Sequence, residues 1–295
     1  QIQEILGDRY NAADLASAAS HNYDMVADFC AYKPADVDMA ASAFMGHTGQ
    51  YIFISSVSAY ERPGTTPFVT EDRPLRNPVW PYAQDKADCE ARLATYTQAG
   101  LPTTVVRPGY TYGPTWIPAA VGGHNCAILH RIREGKPVIS HGDGLGLITL
   151  THNSDFAAAF MGLAGNERAL GQAVHIMNDE YLTWDQVYTA LGQAIGCNIK
   201  LLHIRSDYID AIYPDWGKRI LGEKSYSLIF DMSKLRDLVP DFRPQVPFAE
   251  SIKRSVAWHD AQPEHCAWDK GLSQRMDVLA ERYLHDRSAA IQDLA

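Results

Sequence analysis

The 295 residues are 46% hydrophobic and 21% charged, a balance that suits a globular protein of one or two domains with a sizeable core and excludes a disordered chain. A formal net charge of -9 and no basic run oppose a phosphate backbone, so a small-molecule partner is expected and a nucleic acid is not. The five cysteines are odd in number and form no CxxC pair; the start QIQEILGDRY lacks a signal region, and no stretch approaches the roughly 18 apolar residues of a membrane span, so a cytoplasmic protein with reduced thiols, no disulfide and no metal site is expected.

In chain order, short apolar runs alternate with helix-like segments, the pattern of a parallel sheet with crossover helices. Ile2–Leu6 reads as a strand, Asn11–Ser20 as a helix, Asp24–Ala31 (DMVADFCA) as a strand, Ala35–Phe44 as a helix and Gln50–Ser55 as a strand. After a polar, proline-bearing loop, Pro81 suits the first turn of a helix that runs through alanines and charged residues to Ala99, with Gly100 placed to end it. Thr103–Val106 is a β-branched strand closed by Arg107 and Pro108, and GYTYGP reads as a loop. Ala127–Glu134 is a helix, Gly142–Gly146 a turn, Ser154–Leu163 a helix and Ala173–Met177 a strand. From Thr183 on, helices and turns prevail, with a long charged helix from Gly271. The back third is thus a smaller mixed lobe, packed by Trp184, Trp216, Trp258 and Trp268.

The chemistry concentrates between Tyr51 and Lys86, where the apolar strand ends in serines (YIFISSVSAY) and WPYAQDK follows. Tyr82 and Lys86, four apart on a helix, share one face. An ammonium beside a phenol favours the phenolate and draws its pKa down from about 10 toward the range of an acid/base catalyst.

In their order along the chain, DMVADFCA, ISSVSAY, Tyr82 with Lys86, RPGYTYGP, GDGLGLITLTHNSDFAAAF and AVHIMNDEYLTW resemble the extended short-chain dehydrogenase/reductase superfamily, in its NAD-dependent epimerase/dehydratase branch. The resemblance implies an α/β fold, a doubly wound parallel Rossmann-type sheet that binds NAD or NADP at the carboxyl ends of its strands, with a smaller mixed C-terminal lobe for the substrate. No glycine-rich strand–turn–helix opens the chain, so by comparison with the family the sheet is expected to lack its first strands, roughly 50 to 60 residues. The truncated dinucleotide-binding domain is placed at residues 1–115 and 149–180, and the substrate lobe at 116–148 and 181–295.

By the same resemblance Tyr82 is the proton donor or acceptor, Lys86 the ribose ligand and Ser56 the group that bonds the reacting oxygen, with Ser55 and Ser58 as competitors for that role. Asp8 corresponds to an acidic position facing the adenine amino group; Cys30, Ala31 and Tyr32 line the adenosine side by shape; and Pro108, Gly109, Tyr110 and Thr111 cover the nicotinamide. Tyr60, His124 and Asn125 are the substrate contacts, whereas His141 and His152 have a spacing that fits no common metal site.

Nucleotide-sugar members carry a diphosphate-clamping arginine about seven residues before the acidic end of THNSD, where this chain has Ile148, and dehydratase members carry an acidic pair where Val57 and Ser58 stand. An unpaired buried diphosphate is costly, so a small metabolite other than a nucleotide sugar is expected, handled by an NAD(P)-dependent oxidoreductase or epimerase. Two alternatives stay open: an RNA-binding protein on the same scaffold, similar to chloroplast stem-loop binding proteins, and an inactive fragment without the cofactor loop. Family members often dimerise through the tyrosine-bearing helix, so a homodimer is expected.

Overall fold

The computed structural model describes residues 3–122, 126–266 and 269–292, which fall into two compact units. The first takes in the chain up to Gly109 together with Phe156–Met177 and Phe230–Arg243; the second takes in Tyr110–Asp155, Asn178–Ile229 and the residues from Pro244 on.

In the first unit, α1 (Ala12–Ala18), β1 (Val26–Asp28), α2 (Pro34–Phe44), β2 (Tyr51–Ile54), α3 (Pro81–Gln98), β3 (Thr103–Pro108) and β4 (Ala173–Ile176) build an α/β layer. The strands form one parallel sheet in the order β1-β2-β3-β4, with Val26 opposite Tyr51, Tyr51 opposite Thr103 and Val105 opposite Ala173. All four residues of β2, YIFI, are buried, the continuous apolar run an interior parallel strand needs. Small side chains at Ala31, Ala40 and Ala41 let α2 pack with Tyr51, Phe53, Cys89 and Leu93 in one core.

Helix α3 follows from its sequence. Pro81 occupies its first turn, helix formers carry it, and the chain turns off at Gly100, whose φ of 106° is open to glycine and strained for other residues. Ala83, Lys86, Ala87, Glu90 and Leu93 recur at helical spacing on its buried stripe, which therefore takes two ionisable side chains into the core.

The expected first strand does not form. Among the described residues, 3–7 carry no strand, Ile5 and Leu6 are 64% and 88% exposed, and β1 is hydrogen-bonded only to β2, so the apolar run has no ladder to join. Instead the following Arg9 guanidinium reaches Asp28 at the end of β1 (2.9 Å) and the Asp36 carbonyl (3.0 Å).

The second unit mixes small sheets with helices. Strand Val138–His141 pairs parallel with Leu201–Ile204, and Leu147–Ile148 antiparallel with Leu182–Thr183. GYTYGP is only partly a loop, because Tyr110–Tyr112 pairs parallel with Leu150–His152, a pairing suited to alternating aromatic and β-branched residues. Its helices include Ala127–Arg133, Trp184–Ile195, Ser206–Ile212, Pro214–Arg219, Phe248–Ala261 and Lys270–Gln292, with a π-helical turn at Ile220–Lys224. Trp184 is fully buried at the centre of the core and Trp216 nearly so, while Trp268 lies outside the described residues. The Arg131 guanidinium, also fully buried, donates to Pro137 O (2.9 Å), Ser273 O (2.8 Å), Ser273 Oγ (2.9 Å) and Asp277 Oδ1 (2.7 Å), tying the final helix to this unit.

Candidate active site

At the carboxyl edge of the sheet the Lys86 ammonium, 2% exposed, donates to the carbonyls of Ala31 (2.7 Å) and Ile54 (2.8 Å), which follow β1 and end β2. Aromatic faces fill the space around it: Nζ lies 4.8 Å from the Tyr32 ring centroid, 5.0 Å from Phe53 and 5.9 Å from Tyr82. Burial pulls the Lys86 pKa below its ordinary value, while Cys89, Asp28 and Glu90 act in the opposite sense. Tyr82 is half-buried one turn before Lys86, its ring 4.8 Å from that of Trp80. The shared helical face expected of the pair is therefore realised.

Ser56 stands two residues beyond Ile54, as the cap of a short 3₁₀ turn, Val57–Ala59, against which α3 packs. Its Oγ accepts from the Ser58 N–H (3.2 Å) and the Ser58 hydroxyl (2.8 Å), which leaves the proton of Ser56 itself to donate to a ligand oxygen. Asn77 anchors this turn by donating to Ser58 O at 2.7 Å. Ser55 is committed elsewhere: its hydroxyl donates to Glu90 Oε1 at 2.5 Å. Of the three serines, Ser56 is the one whose hydroxyl both caps the turn and keeps a donor.

Beneath this edge lies a polar network that motif reading missed. Glu90, one turn beyond Lys86, accepts from Arg107 Nε (2.9 Å) and Nη2 (2.7 Å), and Arg107 Nη1 donates to Tyr60 Oη (2.8 Å) and Glu71 O (2.8 Å). Tyr60 Oη also meets His175 Nε2, and Glu71 Oε1 accepts from the His175 N–H at 3.1 Å. Burial, aided by Arg107, lowers the His175 pKa to about 3 and keeps it neutral. Tyr60, expected among the substrate contacts, is fully buried, and its hydroxyl is occupied by Arg107 and His175. The available signal was the spacing of Lys86 and Glu90, which puts a carboxylate on the same buried stripe.

The remaining expected positions divide. Ala31 is buried, Cys30 and Tyr32 are exposed at the same strand end, and half-buried Pro108 and Gly109 close β3, with Gly109 so near the Met177 side chain that a Cβ would meet its Cε at 2.2 Å. Asp8 is exposed in the turn before α1, where its carboxylate accepts from the Tyr10 N–H at 2.8 Å. Tyr110 and Thr111 belong to the second unit, and the buried Thr111 hydroxyl has no partner among the described residues. His124 and Asn125 lie outside the described residues. His141 and His152 are engaged separately, with Lys224 O (2.9 Å) and Ser154 Oγ (2.7 Å). Ile148 is half-buried and packs against the core of its unit.

Set against known proteins, residues 14–178 match the NAD dependent epimerase/dehydratase family, more than half of the chain, and the chain belongs to that family. NAD is that family's cofactor, and the Rossmann-type fold is the one expected. The chain is 28% identical over 198 residues to the chloroplast stem-loop binding protein of 41 kDa b of Arabidopsis thaliana, covering 66% of this chain and 49% of that protein. It is 26% identical over 211 residues to UDP-N-acetyl-alpha-D-glucosaminuronate decarboxylase of Bacillus cytotoxicus, covering 70% and 62%. The chain thus spans about half to three fifths of the length of these curated relatives. Among solved structures, UDP-glucuronic acid 4-epimerase from Bacillus cereus in complex with NAD superposes with a TM-score of 0.71 at 18% identity, covering 90% of this chain and 81% of that one.

The Lys86 cation, the Tyr82 phenol and the Ser56 hydroxyl stand on the strand end and helix face where a parallel α/β sheet binds a dinucleotide. No helix of the described residues is long and apolar enough to cross a membrane.

Proposed function

We propose that the protein is an NAD-dependent epimerase whose proton transfer is run by Ser56, Tyr82 and Lys86, acting on a hydroxyl or keto group of a nucleotide sugar. One observation carries the reading: the buried Lys86 ammonium is fixed by Ala31 O and Ile54 O on the same face of α3 as Tyr82. NAD supplies hydride acceptance and return at its nicotinamide. Tyr82 takes the proton from the substrate hydroxyl, Ser56 donates to that same oxygen, and Lys86 holds ribose and favours the tyrosinate.

The substrate class departs from the small metabolite that Ile148 suggested. That argument assumed a side chain facing the ligand, whereas Ile148 packs against a hydrophobic core, and a core isoleucine says nothing about where a diphosphate is bound. The Bacillus cytotoxicus relative and the Bacillus cereus epimerase are both named for uridine-diphosphate sugars. The net charge of -9 and the presence of all three side chains favour this reading over RNA binding.

Titrating the full chain with NADH and NADPH tests the cofactor, and binding of neither overturns the proposal. Incubation with NAD and UDP-glucuronate or dTDP-glucose, followed by NMR of the sugar, tests the substrate class. Tyr82→Phe is expected to lower turnover by about 10²–10⁴-fold with NAD affinity little changed, and full turnover in that variant removes the assigned role.

A further inference from the structure

Three soft or borderline donors that sequence spacing kept apart converge in the second unit. Cys126 directly precedes the helix Ala127–Arg133, His259 lies on Phe248–Ala261, and Cys266 follows the turn Pro263–His265. All three are buried, and their ligating atoms lie within 4.8 Å of one another. Cys126 Sγ is 3.2 Å from His259 Nδ1. His130, one helical turn after Cys126, adjoins them, with Nε2 3.4 Å from the Cys266 carbonyl and 3.8 Å from Cys266 Sγ, so turning from the carbonyl to the metal would make it a fourth donor.

We propose that Cys126, Cys266, His259 and His130 form a structural zinc site, a place in this chain where a divalent cation ties two helices and a loop together. Tetrahedral zinc, with bonds of about 2.3 Å to sulfur and about 2.0 Å to nitrogen, sets neighbouring donors roughly 3.3–3.8 Å apart, about 3.5 Å for a sulfur–nitrogen pair. The sulfur–nitrogen separations of 3.2 Å and 3.8 Å bracket that spacing, and the ligating atoms of Cys126, His259 and Cys266 all lie within 4.8 Å of one another. Two thiolates balance the charge of the cation, and the imidazoles are neutral, so the site is neutral as a whole and its burial is tolerable. Thiolate with imidazole is also the donor set that selects zinc over magnesium or calcium. On binding, each thiol loses its proton to solvent, two protons for each Zn²⁺ taken up, and no electron is transferred. The Nδ1 of His259 is the nitrogen that faces Cys126, and its buried Nε2 has no hydrogen-bond partner among the described residues.

The expectation of no metal site came from looking for close pairs such as CxxC, whereas here a Cys-x₃-His pair meets a His-x₆-Cys pair more than a hundred residues away.

The full chain, purified under reducing conditions with zinc and dialysed against metal-free buffer, is expected to retain about one zinc per chain by elemental mass spectrometry. The Cys126→Ser/Cys266→Ser double variant should retain less than about a tenth of that, while Cys197→Ser should match the parent. Should the double variant fail to fold by circular dichroism, cobalt loading of the parent decides. A thiolate-to-cobalt charge-transfer band, abolished by competing zinc, supports the site. Metal content far below one per chain with no cobalt band overturns it, as does undiminished retention in a folded double variant or a Cys126–Cys266 disulfide found by mass spectrometry of the protein as isolated.

Discussion

Lys86 in the first unit and Lys224 in the second are equally hidden, each 2% exposed, yet they are accommodated in opposite ways. Lys86 donates at 2.7 and 2.8 Å to two backbone carbonyls, and a fully paired Arg107–Glu90 ion pair lies one turn along the same helix. Lys224 sits in a π-helical turn with Glu223 Oε2 at 3.7 Å and the rings of Tyr110 and Trp184 at 4.6 and 5.9 Å from Nζ. Burial lowers both pKa values. A lysine held by fixed carbonyls is positioned as well as charged, so it can act on a ligand; one held by ring faces and a long carboxylate contact is mainly a packing element whose charge is a cost.

The largest break in this comparison is expected at the ion pair. Glu90→Gln leaves the Arg107 charge buried against a neutral amide and should cost about 3–5 kcal/mol, read by urea denaturation; a loss under about 1 kcal/mol would mean the pair is not buried as described. Next, Lys86→Met deprives two strand-end carbonyls of their donor and should cost about 1–3 kcal/mol, with turnover falling by about 10²–10⁴-fold. The same substitution at Lys224 sharpens the contrast. Lys224→Met exchanges a poorly compensated charge for an apolar chain of similar length, so its urea midpoint should stay level or rise, and a drop as large as that of Lys86→Met would refute the distinction.

A further effect concerns pH. Burial lowers the pKa of His141, which faces Lys224 O, from 6.5 to about 4. Between those values the unfolded chain binds a proton that the folded chain does not, so stability falls as pH drops from 6.5 toward 4 and is level in this contribution above 6.5. Replacing His141 with Leu should flatten that acid limb in thermal melts taken from pH 4 to 7, whereas an unchanged limb would assign it to His175 and other groups.

Much of the first unit was legible because it obeys local rules. Pro81 and Gly100 bracket α3, the apolar YIFI marks an interior strand, and the order of strand, Ser56, Tyr82 and Lys86 singles out one site. What sequence reading missed is long-range. That Lys86 is fixed by Ala31 O and Ile54 O depends on residues 55 and 32 positions away, and the Tyr60–Arg107–Glu90 chain depends on three different elements. Ile2–Leu6 has the composition of a strand, but strand formation requires a partner, and composition carries no information about partners. Ile148 failed in the same way: one residue type was read as a ligand position when its neighbours make it core.

The hydrogen bonds from Arg131 have a consequence for how the protein fares in a cell. Three of its acceptors, Ser273 O, Ser273 Oγ and Asp277 Oδ1, lie on the final helix, so losing that helix would leave a guanidinium inside the second unit with only Pro137 O to meet it. Because the unfolded fraction grows about tenfold for each 1.4 kcal/mol lost, and proteases draw on that fraction, a nick or premature stop ahead of the helix would act on abundance before it acted on catalysis. The C-terminal segment, which reads in sequence as a long charged helix, therefore also supplies the acceptors that the buried Arg131 requires.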